Sequence, residues 1–184
     1  MKYKHLNFSL LKLLSLFIYE VILKWLPASY TPIIGIIPRK LRYWCCKNIF
    51  LECGKNVNVE RRVNLGNGLG FNVKIGNNSG IGINCTIPRE IEIGNNVMMG
   101  PNCYILSNNH AFDNTEIPMI FQGNTVHKKT VIEDDVWIGR QVIITSGRII
   151  KKGTIIAAGC VLTKDFPEYS IVGGNPGKLI RSRK

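Results

Sequence analysis

Three histidines occur among the 184 residues, and imidazole is the side chain best suited to moving a proton near neutral pH. His5 lies near the start, and His127 occupies a turn position in a repeated pattern. His110 follows Ser107-Asn108-Asn109, the point at which that pattern stops. An imidazole at such a boundary can serve as a general base toward a substrate hydroxyl. A histidine at a loop base is also commonly structural, so position alone makes His110 only a candidate.

The six cysteines favour buried thiols over a metal site or disulfides. Cys85, Cys103 and Cys160 recur at one position of the repeat, where a small apolar side chain suits a narrow interior. The adjacent Cys45 and Cys46, with Cys53 nearby, show neither a CxxC spacing nor a histidine cluster. We therefore predict no metal and a reducing, cytoplasmic environment.

The elements that position these side chains follow from a period of six. Aliphatic residues recur at Leu69, Ile75, Ile81, Ile87, Ile93, Met99 and Ile105, and again at Val126, Ile132, Ile138, Ile144, Ile150, Ile156 and Leu162. Helices place apolar residues three or four apart and half-buried strands two apart, whereas a fixed short period indicates a solenoid. An ordinary β-sandwich would not keep fourteen positions in phase.

Small residues complete the pattern. Glycine often follows the aliphatic residue, and the fifth position is small or β-branched, as in Val73, Ser79 and Thr154. Short flat strands joined by tight turns require these residue types. The pattern predicts an all-β chain from residue 53 to 184, interrupted by a projecting loop at residues 111–125 and ending in a turn-rich tail at residues 167–184.

Residues 1–52 differ in kind and predict an α-helical segment. The apolar run from Leu10 to Leu26 carries Lys12, Glu20 and Lys24 and is too short to span a bilayer. After three prolines, a second helix is expected from about Arg39 to Leu51. These helices either cap the open end of the solenoid or lie on an anionic membrane, and the two roles are compatible.

The charge is strongly positive, with 24 lysines and arginines against 12 acidic residues. This excess predicts an anionic partner. No basic groove with interleaved aromatic residues is present, so we expect no nucleic-acid binding.

Taken together, the repeat, the stretch from Asn102 to His110, the segment Asp135-Val136-Trp137-Ile138-Gly139 and the tail Gly174-Asn175-Pro176 resemble the hexapeptide-repeat acyltransferases, in the sugar O-acetyltransferase branch. The resemblance covers residues 53–181 and implies a left-handed parallel β-helix, a homotrimer and acetyl-CoA as acyl donor. It also implies that His110 is the general base.

The resemblance further implies a coenzyme A site on the outside of the coils, between subunits. Carried over by position, the coenzyme-binding residues are Trp137, Gly139, Arg140, Ala158, Thr163, Lys164, Lys178 and Arg181. Two of them depart from the family pattern, since Arg140 replaces a small residue and Lys178 stands where arginine is frequent.

The acceptor side is less defined, because the sugar contacts of the galactoside enzymes do not map onto this chain. Our local candidates for the acceptor site are Asn84, Asn102, Asp113 and Gln122. The predicted reaction is O-acetylation of a sugar or lipid-linked glycan in capsule, exopolysaccharide or lipopolysaccharide synthesis, in the cytoplasm or peripherally at the inner membrane face. The alternatives are acetylation of an amino sugar, serine or an antibiotic, and a non-enzymatic binding scaffold. A carbonic-anhydrase-like site needs three histidines and is excluded.

Overall fold

The computed structural model describes residues 9–184, and two α-helices precede the strands. Helix α1 spans Leu10–Val21 and helix α2 spans Ile36–Ile49, with a short 3₁₀ turn at Leu23–Trp25. Ser9 caps α1 by accepting a hydrogen bond from the Lys12 amide at 3.2 Å. The first part of the predicted helical segment, including His5, lies outside the described residues.

The strands are short and form three sheets. Sheet A contains β1 (Glu52–Cys53), β3 (Asn72–Ile75), β5 (Glu90–Ile93), β8 (Thr130–Ile132) and β11 (Ile149–Ile150). Sheet B contains β2 (Asn58–Val59), β4 (Gly80–Ile81), β6 (Met98–Met99), β9 (Trp137–Ile138), β12 (Ile155–Ile156), β14 (Ser170–Gly173) and β15 (Lys178–Ser182). Sheet C contains β7 (Tyr104–Ile105), β10 (Ile143–Ile144) and β13 (Val161–Leu162).

The pairing register turns these sheets into the faces of a prism. Neighbouring strands are parallel and residues 18 apart face each other, as Val131 and Ile149 do in sheet A. Eighteen residues are three six-residue units, so each coil contributes one strand to each face. Only β15 departs from this, since it pairs antiparallel with β14. The predicted parallel β-helix with an N-terminal helical segment is confirmed.

The aliphatic positions of the repeat fill the interior. Twelve of the fourteen are at most 7% exposed: Ile75, Ile81, Ile87, Ile93, Met99, Ile105, Ile132, Ile138, Ile144, Ile150, Ile156 and Leu162. The small residues at the fifth position are buried beside them, including Val73, Ser79 and Cys85. This core is one continuous cluster along the prism.

Two positions of the predicted repeat are wrong. Leu69 ends a 3₁₀ turn at Gly66–Gly68 with a left-handed φ of 53° and is exposed, while Phe71 points inward in its place. Val126 is 86% exposed, and the interior pattern resumes only at Ile132. At both places inserted residues carry the chain off the prism, so a six-residue spacing no longer means an inward side chain.

The two helices pack over the first coil. The Tyr19 hydroxyl donates to the Val63 carbonyl at 3.2 Å, and Cys45, Cys46 and Ile49 of α2 join the solenoid core. These contacts are those expected of a cap. Pro38 lies inside the first turn of α2, where the amide it lacks would have had no partner in the helix, so α2 begins three residues earlier than expected.

Arg42 does not belong to the exposed basic face on which the sequence appears to place it. Its side chain is fully buried, and Nε donates to the Val59 carbonyl at 2.9 Å. Nη1 donates to the Pro27 carbonyl at 3.0 Å. The lone arginine on the buried face of α2 thus ties the helix to the first coil and to the turn before it. Along residues 9–184, neither helix is long and apolar enough to cross a membrane.

Candidate functional site

His110 lies at the neck of the predicted loop. It forms an antiparallel bridge with Asn124, and on either side Ala111 donates to Gly123 at 3.0 Å and Thr125 donates to Asn109 at 2.8 Å. These backbone bonds close the loop where it leaves the corner between sheets C and A. The imidazole is exposed, and neither ring nitrogen has a hydrogen-bond partner within the part of the chain that the structure describes. The ring is therefore accessible and held on a fixed backbone.

His127, at the same corner, is already engaged. Its Nδ1 lies 3.1 Å from the Ser107 carbonyl oxygen, and its Nε2 lies 3.5 Å from Oε2 of Glu90. These contacts hold the ring against sheet A. Of the two histidines in the described chain, His110 is the one whose ring is free to meet a substrate.

The projecting loop is organised by its own side chains. Gln122 Nε2 donates to the carbonyl oxygens of Asn114 at 2.7 Å and Ile117 at 2.6 Å, while its Oε1 accepts from the Asn114 amide at 3.1 Å. Gln122, one of the predicted acceptor ligands, is thus occupied in shaping the loop. Asp113, another, is exposed on the same loop.

The other two acceptor candidates lie elsewhere. Asn84 and Asn102 occupy equivalent turns at the corner between sheets B and C, with left-handed φ values of 57° and 60°. Asn84 Nδ2 donates to Asn102 Oδ1 at 3.0 Å. Asparagine tolerates this conformation better than most residues, so both positions have a structural role in the turns. The structure brings Asp113 and Gln122 together with His110, but not Asn84 and Asn102.

The coenzyme candidates fall into two groups in one chain. The first group surrounds the corner between sheets B and C. Trp137 is half-exposed on β9, and Gly139, Arg140 and Ala158 form the turns that follow β9 and β12. The Gly159 amide donates to the Arg140 carbonyl at 2.9 Å and stacks these two turns.

This corner is shaped by small residues. A Cβ on Gly139 would lie 2.6 Å from the Ala158 nitrogen, so only glycine fits there. Gly159 has a φ of 72°, and a Cβ on it would meet nothing within 4 Å. The outer surface at Ala158 and Gly159 is therefore open and nearly free of side chains, which suits a thin, extended chain lying against the backbone.

The second group is at the opposite edge of sheet C. Thr163 and Lys164 follow β13, the Thr163 carbonyl accepts from Arg148 Nη1 at 3.2 Å, and the Lys164 ammonium lies 5.5 Å from the Phe166 ring centre. This is the corner from which the His110 loop leaves one coil series earlier. Lys178 and Arg181 are exposed on β15, opposite Gly173 and Ile171 of β14 at the edge of sheet B.

Sheet C separates these two corners, and a polar cleft of about 270 Å³ runs along its first coils. Asn64, Asn67 and Tyr104 line it, and it ends at Ser107 and Asn108, two residues before His110. Sequence reasoning missed these residues. Tyr104 carried a detectable signal, because it is an aromatic residue at an outward position of the repeat. Asn64 and Asn67 lie in the irregular first coil, where the pattern gives no register.

No group of three or more metal-binding side chains occurs between residues 9 and 184. The donor set at the loop neck, one imidazole with amides and backbone carbonyls, favours proton transfer over metal binding.

Comparison with known proteins agrees with this architecture. The family model for the bacterial transferase hexapeptide, a unit of six repeats, matches residues 72–107 and 129–164. A maltose O-acetyltransferase from Clostridium difficile 630 superposes with a TM-score of 0.73 at 29% identity, over 95% of this chain and 83% of that one. A hexapeptide-repeat acetyltransferase from Vibrio cholerae O1 biovar eltor, solved with acetyl coenzyme A, superposes with a TM-score of 0.65 at 29% identity, over 78% of this chain and 76% of that one.

Among curated proteins, a chloramphenicol acetyltransferase from Agrobacterium fabrum is 50% identical over 54 residues, which are 29% of this chain and 26% of the relative. The chain thus matches about a quarter of the length of that relative. The local match, the repeat model and the long structural superpositions identify the chain as a member of the hexapeptide-repeat acyltransferases.

Proposed function

We propose that this chain is an acetyl-CoA-dependent O-acetyltransferase that acts on a sugar hydroxyl with His110 as general base. The observation that carries the proposal is the free, exposed imidazole of His110 on a hydrogen-bonded loop neck, in a chain that superposes along most of its length on a maltose O-acetyltransferase.

In the proposed reaction the acceptor hydroxyl lies within hydrogen-bond reach of His110. As the hydroxyl oxygen attacks the thioester carbonyl carbon, the imidazole takes its proton. The carbon–sulfur bond then breaks, the proton passes to the departing sulfur, and His110 returns to its neutral form. No covalent acyl-enzyme is needed, since the chain only orients the two substrates and moves one proton.

The residues of the corner between sheets B and C support the choice of acyl donor. The open surface at Ala158 and Gly159 leaves room for a pantetheine arm, and Trp137 offers a half-exposed ring beside it. Lys164, Lys178 and Arg181 are exposed cations suited to phosphate groups. When bound, the donor supplies the activated acetyl thioester, and these residues would hold it.

A homotrimer is part of the proposal, because His110 and the Trp137 corner lie on opposite edges of sheet C. If the corner carrying His110 in one subunit faced the Trp137 corner of a neighbour, a cyclic assembly would complete every site. The apolar outward residues Tyr104, Ile143 and Val161 of sheet C are suited to such contacts.

The acceptor class and the location are finer proposals. We propose a sugar or lipid-linked glycan of surface polysaccharide synthesis, with the chain in the cytoplasm and peripheral to the inner membrane face. The exposed apolar residues of α1 and α2 support the membrane contact. Acetylation of an antibiotic is the second candidate, favoured by the local identity to a chloramphenicol acetyltransferase.

The test is acetyl-CoA turnover, read as free thiol, against sugars, nucleotide sugars, amino sugars, serine and chloramphenicol. We expect turnover with a sugar, and at least about a 100-fold lower kcat for His110→Ala. His127→Asn is the matched control, which retains most of the activity. Turnover confined to amines or to chloramphenicol would replace the acceptor, and an undiminished His110→Ala would rule out the catalytic role. A binding scaffold would show no turnover at all.

A further inference from the structure

The turn between the two N-terminal helices presents an unusual concentration of exposed apolar side chains. We name residues 30–37 the Ile33 turn. Its exposed fractions are 95% for Ile33, 53% for Ile34, 60% for Ile36 and 66% for Ile37, with Tyr30 at 74%. Isolated exposed aliphatic residues are normal on protein surfaces, but a contiguous group of this kind indicates an interaction site.

The Ile33 turn holds these side chains outward against local preference. Ile33 has a φ of 67°, a left-handed conformation that is unfavourable for a β-branched residue. The turn is fixed by a hydrogen bond from Gly35 to Thr31 at 2.9 Å. Gly35 is buried, and a Cβ on it would lie 2.5 Å from the carbonyl oxygens of Ala28 and Ser29. A strained residue kept in place by its surroundings is typical of functional positions.

Both flanking helices continue this surface. In α1 the residues Leu10, Leu14, Phe17 and Val21 follow helical spacing, are each at least half-exposed, and lie opposite the buried Ser15 and Tyr19. In α2 the exposed Ile37, Leu41 and Trp44 lie opposite the buried Arg42, Cys46 and Ile49. Each helix therefore packs one face on the solenoid and turns an apolar stripe away from it.

The charges around this surface are of one sign. Residues 9–51 contain six basic side chains and a single acidic one, Glu20, which is paired with Lys24 at 2.7 Å. Lys40 and Lys47 are exposed along the edge of the Trp44 stripe. A cleft of about 360 Å³ beside the turn is lined by Ile36, Arg39 and Lys40, so that cations border an apolar hollow.

We infer that the Ile33 turn and the adjoining stripe of α2 form a docking surface for a bilayer of anionic phospholipids. The isoleucines enter the acyl boundary, and Arg39, Lys40 and Lys47 lie at the level of the phosphates. The charge complementarity selects an anionic bilayer over a neutral one. The inference deepens the proposed peripheral location and does not depend on the acetyl transfer.

The experiment is sedimentation of the full chain with vesicles of phosphatidylglycerol and phosphatidylcholine, compared with phosphatidylcholine alone. We expect binding that requires phosphatidylglycerol and weakens with salt. Ile33→Asn should lower the partition coefficient roughly tenfold, because one deeply inserted side chain is lost. Since asparagine accepts a left-handed conformation, the melting temperature of this variant should equal or exceed that of the parent.

Further variants separate the contributions. Lys40→Gln with Lys47→Gln should weaken binding and flatten its salt dependence, whereas Val126→Asn, a change at an equally exposed β-branched residue outside the surface, should bind like the parent. Equal partitioning of Ile33→Asn and the parent would overturn the inference. So would a dimer that dissociates in Ile33→Asn without vesicle binding by either protein, since a second copy would then cover this surface.

Acetyl-CoA turnover on an acceptor in solution, measured in parallel, keeps the two proposals apart. Ile33→Asn should turn over at the parental rate while losing vesicles. A parent that binds vesicles but transfers no acetyl group would end the enzymatic proposal alone.

Discussion

Arg42 and Glu60 form a buried ion pair, in which Nη2 of the guanidinium lies 3.7 Å from Oε2 of the carboxylate. Arg42 belongs to α2 and Glu60 to the first coil, so the pair joins the helical cap to the solenoid. Ser29 binds the same carboxylate through its hydroxyl and its amide, and Asn58 Nδ2 donates to it at 3.0 Å. One carboxylate thereby collects contacts from three separate segments of the chain.

Neutralising this carboxylate should loosen the cap. Glu60→Gln leaves the Arg42 guanidinium buried without its counter-charge, which should cost about 3 kcal/mol of unfolding free energy. Urea unfolding followed by circular dichroism measures the loss. Glu116→Gln, at an exposed loop residue, is the control and should change stability little. An unchanged Glu60→Gln would mean that the pair adds nothing to the attachment of the helices.

The same carboxylate predicts a loss of stability in acid. Burial alone would raise the pKa of Glu60, but hydrogen bonds from Ser29 and Asn58 together with the Arg42 charge hold the pKa below its ordinary value. A group with a depressed folded-state pKa contributes stability that is complete above its unfolded pKa and is lost as the pH falls through the folded one. The melting temperature of the parent should therefore fall below about pH 4.5 more steeply than that of Glu60→Gln. Parallel curves would contradict this.

Trp137→Ala should impair use of the acyl donor without unfolding the chain. The ring is half-exposed on β9, so its loss leaves the core intact. We expect the KM for acetyl-CoA to rise roughly fivefold and the melting temperature to stay nearly constant. Met98→Ala, on the neighbouring strand β6 directly beside Trp137, is the matched control. A rise in the acceptor KM instead would move Trp137 to the acceptor side.

Gln122→Ala should affect the acceptor through the shape of the loop. The substitution removes the three hydrogen bonds that hold Asn114 and Ile117. The acceptor KM should rise several-fold while the KM for acetyl-CoA is unchanged. Gln122→Glu keeps the bond from the Asn114 amide but loses both donors, and an intermediate effect is expected. If the glutamate variant equals the parent, the two donated bonds do not position the loop.

The cysteines should be inert in the folded protein. Burial raises the pKa of both Cys45 and Cys53 to about 11, so at pH 8 only about one thiol in a thousand is ionised. A thiol reagent should react slowly with the native chain and with all six cysteines after unfolding. This also predicts a low background in the thiol-release assay. Rapid reaction of a native thiol would show that its site opens readily.

The regular part of the fold was predictable because one rule governs it. Ile75 to Ile105 and Ile132 to Leu162 are inward because each unit is six residues long, and both ranges behave as the pattern indicates. Leu69 and Val126 fail where inserted residues break that unit, and nothing in a local spacing reveals how much chain has left the prism.

The site was predictable only in part, for a related reason. The position of His110 at the end of the repeat marks the loop neck, and the structure puts it there. That Gln122 bonds within the loop, that Asn84 and Asn102 stack on each other, and that Arg42 is buried depend on contacts between distant segments. Such contacts are set by the three-dimensional course of the chain, which residue types alone do not specify.

The register across the loop has a consequence for the history and engineering of this protein. In sheet A, Ile91 faces Thr130, 39 residues on, yet the strands on either side pair as if the usual 18 residues separated them. The extra 21 residues leave and rejoin the prism without disturbing a single rung. Acceptor preference and scaffold can therefore vary independently, and exchanging the segment between its neck residues Asn109 and Thr125 with that of a relative is a direct route to altered specificity on an unaltered frame.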